Sequence, residues 1–207
     1  MRRLFSADEP AFDTLVNIYA ESHELGERKS IERLASMVED PNYFFLVATE
    51  SNFVVGYTIA RTLDDSDAAL LEYFAVAPDR RGQGIGERLF AECANFRAVS
   101  WRFLLVEVDS DKKVTADHAD RIRRKRFYRR LGCQEVEGLD YIMPPVSSVM
   151  PAEMDMLVYG RDLPPYIERT RLRQWLELCY VEVYRQSASD PRIDAMLHAL
   201  PEHVRLI

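Results

Sequence analysis

Apolar side chains in the first forty residues recur at intervals of three and four positions. They are Phe12, Leu15, Val16, Ile18 and Tyr19, followed by Ile31, Leu34 and Met37. This spacing places apolar residues on one face of a helix. The pattern predicts two amphipathic helices within residues 7–38, separated by a turn near Gly26.

Short runs of β-branched and aromatic residues come next. Residues 43–49 and 53–61 flank the polar sequence Glu50-Ser51-Asn52, a pattern typical of a β-hairpin. A third run, 69–76, stops before Pro78, since proline lacks the N–H that a strand donates to its neighbour.

Glycines, a helix and another apolar run follow the third strand. A strand over 103–108 after a helical crossover favours parallel pairing with 69–76. Further along, the pattern predicts a helix over 121–131 that ends at Gly132, and two closing strands over 134–142 and 154–159. The order of elements predicts an α/β fold.

A separate helical pattern lies beyond Pro164-Pro165. Its apolar positions are Leu172, Trp175, Leu176, Cys179, Tyr180 and Val183, which share one helix face. We therefore expect a main domain over 1–161 and a helical extension over 162–207. The extension packs either on this domain or on a second subunit, so a homodimer stays open.

Composition and charge exclude several classes of protein. The 207 residues carry a formal net charge of −7, which argues against a general nucleic-acid binder, and 47% are hydrophobic, as in a globular chain. The sequence contains no apolar run of membrane-spanning length. Its three cysteines and four histidines lack metal-site spacing. We expect a cytoplasmic protein without a metal, a membrane contact or a nucleic-acid partner.

The glycine-rich segment Arg81-Gly82-Gln83-Gly84-Ile85-Gly86 joins a predicted strand to a predicted helix. Glycines allow positive φ and close backbone approach, and a helix N-terminus favours an anion, so the pattern indicates a phosphate site. Glu87 occupies the place of the third glycine of a dinucleotide-binding fingerprint. The Gly-Lys-Ser/Thr of a P-loop is also missing.

Together with Val76-x-Pro78, this segment resembles the coenzyme loop of the GNAT superfamily of N-acetyltransferases. A second segment, Arg126-Phe127-Tyr128-Arg129-Arg130-Leu131-Gly132-Cys133, resembles the Phe-Tyr-x-x-Leu-Gly-Phe motif of that superfamily. The resemblance covers roughly residues 1–161. Cys133 replaces the usual terminal aromatic residue, and Arg121 stands where many members carry Asn.

The resemblance implies a mixed, mostly antiparallel central sheet with a splayed pair of parallel strands, flanked by helices. It also implies acetyl-CoA as the acyl donor. Backbone groups of the strand end would pair with pantetheine, and those of the glycine loop would bind pyrophosphate. The residues implied are Phe74, Ala75 and Val76 for the first role, and Arg81, Gly82, Gln83, Gly84, Ile85 and Gly86 for the second.

Catalytic candidates follow from the same resemblance and from the chemistry of amide formation. Tyr128 matches the tyrosine that protonates the leaving thiolate; the alternative is a core tyrosine. The attacking amine must lose a proton, and Glu72 is the first candidate to receive it, with Glu107 second. The alternative is that both carboxylates pair with arginine or face solvent. The basic block 121–130 is expected to be a solvated helix face paired with acidic neighbours, and coenzyme phosphate contact by an arginine is the alternative.

The predicted function is transfer of an acetyl group to a primary amine by direct attack in a ternary complex. Glu21, Glu24 and Glu27 suggest a cationic acceptor, either a small molecule or a peptide amine. The loops near 20–30 and 141–153 would choose it. A non-catalytic regulatory module that binds acyl-CoA is the alternative function.

Overall fold

The structure, a computed structural model, describes residues 1–95, 101–146 and 153–207. Part of the expected acceptor loop, 147–152, lies outside the described residues. The helices are α1 (Pro10–Ser22), α2 (Ile31–Glu39), α3 (Ile85–Ala94), α4 (His118–Arg130), α5 (Arg169–Leu178) and α6 (Pro191–Leu197). The strands are β1 (Arg2–Leu4), β2 (Tyr43–Glu50), β3 (Phe53–Thr62), β4 (Ala68–Val76), β5 (Phe103–Asp109), β6 (Gln134–Glu135), β7 (Met154–Gly160), β8 (Tyr166–Glu168) and β9 (His203–Arg205).

The chain divides into two compact units. Among the described residues, the first comprises 1–62, 71–95 and 146, and the second comprises 63–70, 101–145 and 153–207. Strand β4 contributes its first three residues to the second unit and the remainder to the first.

In the first unit the strand order is β1-β2-β3-β4, and the predicted hairpin is confirmed. Strands β2 and β3 pair antiparallel from Tyr43 opposite Arg61 to Glu50 opposite Phe53. Ser51 and Asn52 both have positive φ, 48° and 71°. Two such residues form the turn that matches the twist of paired strands.

Both faces of this sheet are covered, which explains why β2 and β3 have almost no exposed positions. The side chains of Tyr43, Phe45 and Val47 lie in one apolar cluster with residues of α1 and α2. Helix α3 packs on β2 and β3 as well, so closely that a Cβ at Gly56 would lie 2.9 Å from Leu89 Cδ1.

In the second unit, β5 pairs antiparallel with β7, and β7 pairs antiparallel with β6. The start of β4 lies beside β5 and runs parallel to it. The Asp67 carbonyl accepts the N–H groups of Arg102 at 2.6 Å and Phe103 at 3.0 Å. The mixed, mostly antiparallel α/β fold is thereby confirmed, while splaying of the parallel pair stays a prediction.

The extension packs within the second unit. Trp175 of α5 is fully buried, and its ring lies 5.1 Å from that of Phe103 on β5. Strands β8 and β9 pair with each other, and the chain end is anchored where the Glu135 and Ile207 backbones exchange hydrogen bonds. The predicted apolar stripe is confirmed, although α5 gives way to a π-helical turn at Cys179–Val183.

Two predicted boundaries are wrong. The strand expected over 134–142 is limited to Gln134–Glu135, because the chain turns at Gly138, where φ is +76°. Helix α4 begins at His118, one turn before the expected start. In the described part of the chain, no helix combines the length and apolar character needed to cross a membrane.

Candidate active site

The glycine loop links β4 to α3 in the first unit. After Val76 the chain makes a 3₁₀ turn at Pro78–Arg80, and Gly82 and Gly84 then take φ of +77° and +74°. Gly84 is the N-cap residue of α3. A Cβ placed on either glycine would meet no atom within 4 Å, so the loop backbone lies open.

This geometry suits an anion. The first turn of any helix leaves backbone N–H groups without helical partners, and its end carries partial positive charge. The Arg81 side chain folds back on the strand, where its Nε donates to the Val76 carbonyl at 3.1 Å. The loop can therefore offer backbone donors to a phosphate, and phosphate binding by residues 81–86 stays a prediction.

The strand end that precedes the loop is fixed against β3. Ala77 N–H donates to the Val55 carbonyl at 2.9 Å, and Ala75 is buried beside Gly56. Phe74 and Val76 are half-buried. Residues 72–86 thus form one continuous segment of the first unit, and pantetheine pairing along 74–76 stays a prediction.

Glu72 lies in this segment, with its side chain only 4% exposed. Its Oε1 forms an ion pair with Lys29 Nζ, and its Oε2 accepts a hydrogen bond from Tyr43 Oη at 3.3 Å. Burial, and then the charge of Glu72, raise the pKa of Tyr43 well above its usual range. The carboxylate therefore pairs with a lysine and a phenol, whereas the sequence suggested arginine or solvent.

Aromatic residues hold the loop that carries Lys29. Tyr73 Oη donates to the Glu27 carbonyl at 2.8 Å, and Tyr19 Oη accepts the Lys29 N–H at 2.6 Å. Burial raises the pKa of Tyr19 to about 12, so this phenol stays protonated at neutral pH. Lys29 could not be predicted from the sequence, because no pattern along the chain indicates a pair 43 residues apart.

Tyr128 lies on α4 in the second unit and is 5% exposed. Its ring packs edge to face on Phe127 with centroids 5.3 Å apart, and its carbonyl accepts the Cys133 N–H at 3.1 Å. Gly132 ends the helix with φ of +94°, as predicted. The role of Tyr128 as an acid stays a prediction.

The basic block on α4 is paired with acidic neighbours, as expected. Arg121 contacts Asp117 at 2.8 Å, Arg123 contacts Asp120 at 2.9 Å, Arg124 contacts Asp109, and Arg129 contacts Glu135 at 2.8 Å. Lys125 differs from these arginines because it is buried among three carboxylates, those of Asp111, Glu135 and Asp155.

Glu107, the second candidate base, lies on β5 between two phenols. Tyr141 Oη donates to Glu107 Oε1, and Tyr184 Oη donates to Oε2. Tyr141 begins the expected acceptor loop, and Tyr184 follows the π-helical turn. The apolar stripe of the extension ends at Val183, so no pattern in the sequence indicates Tyr184.

Two of the three cysteines are poor nucleophiles. Burial raises the pKa of Cys93 and that of Cys133 to about 12, which keeps both thiols protonated at neutral pH. Within the described ranges, no three or more His, Cys, Asp or Glu side chains are grouped as a metal site requires.

Comparison with known proteins finds one family match within this fold. Residues 41–135 match the model of the acetyltransferase (GNAT) domain. That match includes the glycine loop and Tyr128. No curated protein matches the chain.

Solved structures of GNAT proteins share the fold. The structure of a protein from Bacteroides thetaiotaomicron assigned to the GNAT family is similar with a TM-score of 0.72 and 20% identity, over 88% of this chain and 97% of that one. The ribosomal-protein-S18-alanine N-acetyltransferase from Escherichia coli gives a TM-score of 0.54 and 19% identity, over 75% and 95%. An aminoglycoside 6'-N-acetyltransferase complexed with coenzyme A gives 0.57 and 17%, over 80% and 99%. With its glycine loop, its mixed sheet and this domain match, the chain is similar to acetyltransferases of the GNAT superfamily.

Proposed function

We propose that this protein transfers the acetyl group of acetyl-CoA to a primary amine by direct attack in a ternary complex. The observation that carries the proposal is the open glycine loop, in which Gly82 and Gly84 adopt positive φ immediately before α3. An aminoglycoside acetyltransferase with this fold was solved with coenzyme A, which supports acetyl-CoA as the donor.

In the proposed complex, backbone groups of Phe74 to Val76 pair with pantetheine and those of Arg81 to Gly86 bind pyrophosphate. The helix N-terminus contributes partial positive charge toward the phosphates. These contacts are made by backbone atoms, which fits a loop whose glycines leave its backbone uncovered.

The chemical step needs a proton acceptor and a proton donor. The amine nitrogen attacks the thioester carbon, and the carbon–sulfur bond breaks as the tetrahedral intermediate collapses. Glu72 receives the proton of the amine, directly or through water, and Tyr128 protonates the departing thiolate. The raised thiol pKa values of Cys93 and Cys133 support direct transfer over an acyl-enzyme on either residue.

The acceptor belongs to the class of amines. Two proteins with this fold are a ribosomal-protein-S18-alanine N-acetyltransferase and an aminoglycoside 6'-N-acetyltransferase, and both names denote an amine acceptor. The carboxylates of Glu21, Glu24 and Glu27, at and after the end of α1, favour a cationic amine near this loop.

Thiol release from acetyl-CoA tests this function. We expect release to accelerate when kanamycin, spermidine, a peptide with N-terminal alanine or an arylamine is added. If acetyl-CoA binds and no acceptor accelerates release, the catalytic proposal fails and a regulatory acyl-CoA module remains. If acetyl-CoA does not bind to the folded protein, both the catalytic and the regulatory hypothesis fail.

A further inference from the structure

Helix α4 packs against β5 without an apolar stripe. Of its thirteen described residues, seven are Lys or Arg, and the two that are buried are Lys125 and Tyr128. A surface helix is ordinarily held to the core by a stripe of apolar side chains, as α1 is by Phe12 and Leu15. In α4 a charged side chain and a phenol take the place of that stripe.

Lys125 joins the buried face of α4 to three other segments of the second unit. Its Nζ lies 2.8 Å from Asp111 Oδ1, 2.8 Å from Glu135 Oε2 and 2.7 Å from Asp155 Oδ2. Asp111 follows β5, Glu135 lies on β6 and Asp155 lies on β7. An ammonium group has three N–H donors, so each carboxylate can receive one. The end of the lysine side chain is thus held from three directions.

Burial makes this contact hard to replace. The side chains of Lys125, Glu135 and Asp155 are 4%, 10% and 2% exposed. Removal of one partner from a buried ion pair leaves an uncompensated charge, which is costly. Burial opposes the charge of Lys125, but hydrogen bonds to the three carboxylates outweigh it and raise the pKa of Lys125 above its ordinary value. The lysine is therefore charged at neutral pH, and the contact persists.

Tyr128 lies on the same face of α4 as Lys125, three residues further along the helix. Residues three apart in a helix are neighbours on its surface. Both side chains are buried, at 3% exposure for Lys125 and 5% for Tyr128. A helix moves as one body over so short a distance, so a shift of α4 at Lys125 would carry the Tyr128 hydroxyl with it.

We propose that Lys125 is a positioning residue that, through its three carboxylates, sets the place of the Tyr128 hydroxyl for protonation of the leaving thiolate. The inference rests on the proposed function, in which Tyr128 is the acid, and adds a residue that acts through Tyr128 rather than on the substrate. A misplacement of about 1 Å in a reacting group can cost about a hundredfold in rate, so the position of α4 affects kcat.

A double-variant cycle on kcat tests the inference, with whichever of kanamycin, spermidine, the alanine peptide and the arylamine accelerates thiol release by wild type. Lys125→Met is expected to lower kcat by at least about threefold, and by no more than Tyr128→Phe does. Because Lys125 acts through the phenol, adding Lys125→Met to Tyr128→Phe should change kcat by less than about twofold. Arg173→Met breaks an exposed ion pair with Asp194 and is the control, with the kcat of wild type expected.

Three results overturn the inference and leave acetyl transfer standing. They are the kcat of wild type in folded Lys125→Met or Tyr128→Phe, losses that multiply in the double variant, and weaker acetyl-CoA binding by Lys125→Met in calorimetry. If circular dichroism shows Lys125→Met to be unfolded, Asp111→Ala removes the most exposed of the three carboxylates and replaces it in the cycle, under the same criteria. Absence of turnover by wild type with every acceptor overturns both the inference and the proposed function.

Discussion

Lys29 and Glu72 form a buried ion pair that ties the loop between α1 and α2 to strand β4. Their side chains are 9% and 4% exposed, and Tyr43 adds a hydrogen bond to the second carboxylate oxygen. Glu72 is therefore a structural residue whether or not it receives a proton in the reaction. An experiment on its catalytic role must separate the two contributions.

Glu72→Gln alone should destabilise the protein, since it leaves a buried ammonium without its anion. The expected loss is about 3–5 kcal/mol of unfolding free energy, with a similar loss for Lys29→Met. The double variant should recover most of this stability, because neither charge remains. Denaturant unfolding of the three variants checks these values.

Turnover of the same double variant decides the catalytic role of Glu72. If Glu72 accepts the proton, the double variant is expected to be stable but to have a kcat about a hundredfold below that of wild type. Full recovery of kcat together with stability would assign Glu72 a structural role alone. Lys29→Met serves as the control, since it keeps the carboxylate.

Tyr128→Phe removes the hydroxyl that is the proposed proton donor and keeps the ring. We expect kcat to fall by about tenfold or more, because the thiolate would leave without a positioned acid. The dissociation constant for acetyl-CoA should stay unchanged. Tyr166→Phe, a half-exposed tyrosine on β8, is the matched control, and equal turnover in the two variants would remove Tyr128 from the mechanism.

Lys125 makes the second unit sensitive to acid. Burial opposes charging of Asp155, but hydrogen bonds from Lys125 and Lys112 outweigh it and lower the pKa of Asp155 below its ordinary value; Lys125 does the same for Asp111. A lowered folded-state pKa gives stability that is present above the unfolded-state value and is lost as the pH falls through the folded-state value. The structure therefore predicts loss of stability below about pH 4.

In Lys125→Met the carboxylates lose their shared cation. The variant should be less stable at pH 7 by about 3–5 kcal/mol, and its stability should change less between about pH 6 and pH 3. Urea unfolding at a series of pH values measures both effects. Arg123→Ala, which breaks an exposed pair with Asp120, should change neither, and an equally steep acid transition in Lys125→Met would refute this account.

The buried thiols should be dispensable for catalysis. Cys93→Ala and Cys133→Ala are expected to retain turnover within about threefold, once stability is matched, because thiols with a pKa of about 12 are scarcely ionised at pH 7. Mass spectrometry after mixing with acetyl-CoA should show no added acetyl group on either cysteine. An acetylated Cys133 that transfers its group to an amine would contradict direct attack.

The parts of the fold that sequence patterns predicted are those in which periodicity and burial agree. Helices α1 and α2, the β2–β3 hairpin and the glycine loop each have local signals that their packing later satisfies. The loop is the clearest case, because Gly82 and Gly84 are needed for their positive φ.

Elsewhere the apolar pattern indicated which residues are buried but not which segments pair as strands. Val136, Leu139 and Tyr141 are buried, which suggested a strand over 134–142, yet regular strand pairing stops after Glu135 and Val136 makes one isolated bridge, to Leu206. Contacts between residues far apart in the chain, such as Lys29 with Glu72 and Tyr184 with Glu107, have no sequence signal at all. The candidate site was therefore predicted as a strand end, a glycine loop, Tyr128 and two carboxylates, without the groups that hold those carboxylates.

Calorimetric titration of acetyl-CoA into wild type, Gly84→Asp and Gly84→Asn tests the coenzyme site most directly. Both variants place a side chain at a position with positive φ and open space, and only the first adds a negative charge. We expect micromolar binding by wild type, a loss of at least about tenfold in Gly84→Asp, and a smaller loss in Gly84→Asn. Equal binding by all three folded proteins, or no binding by wild type, would contradict the assignment of residues 81–86 as the pyrophosphate site.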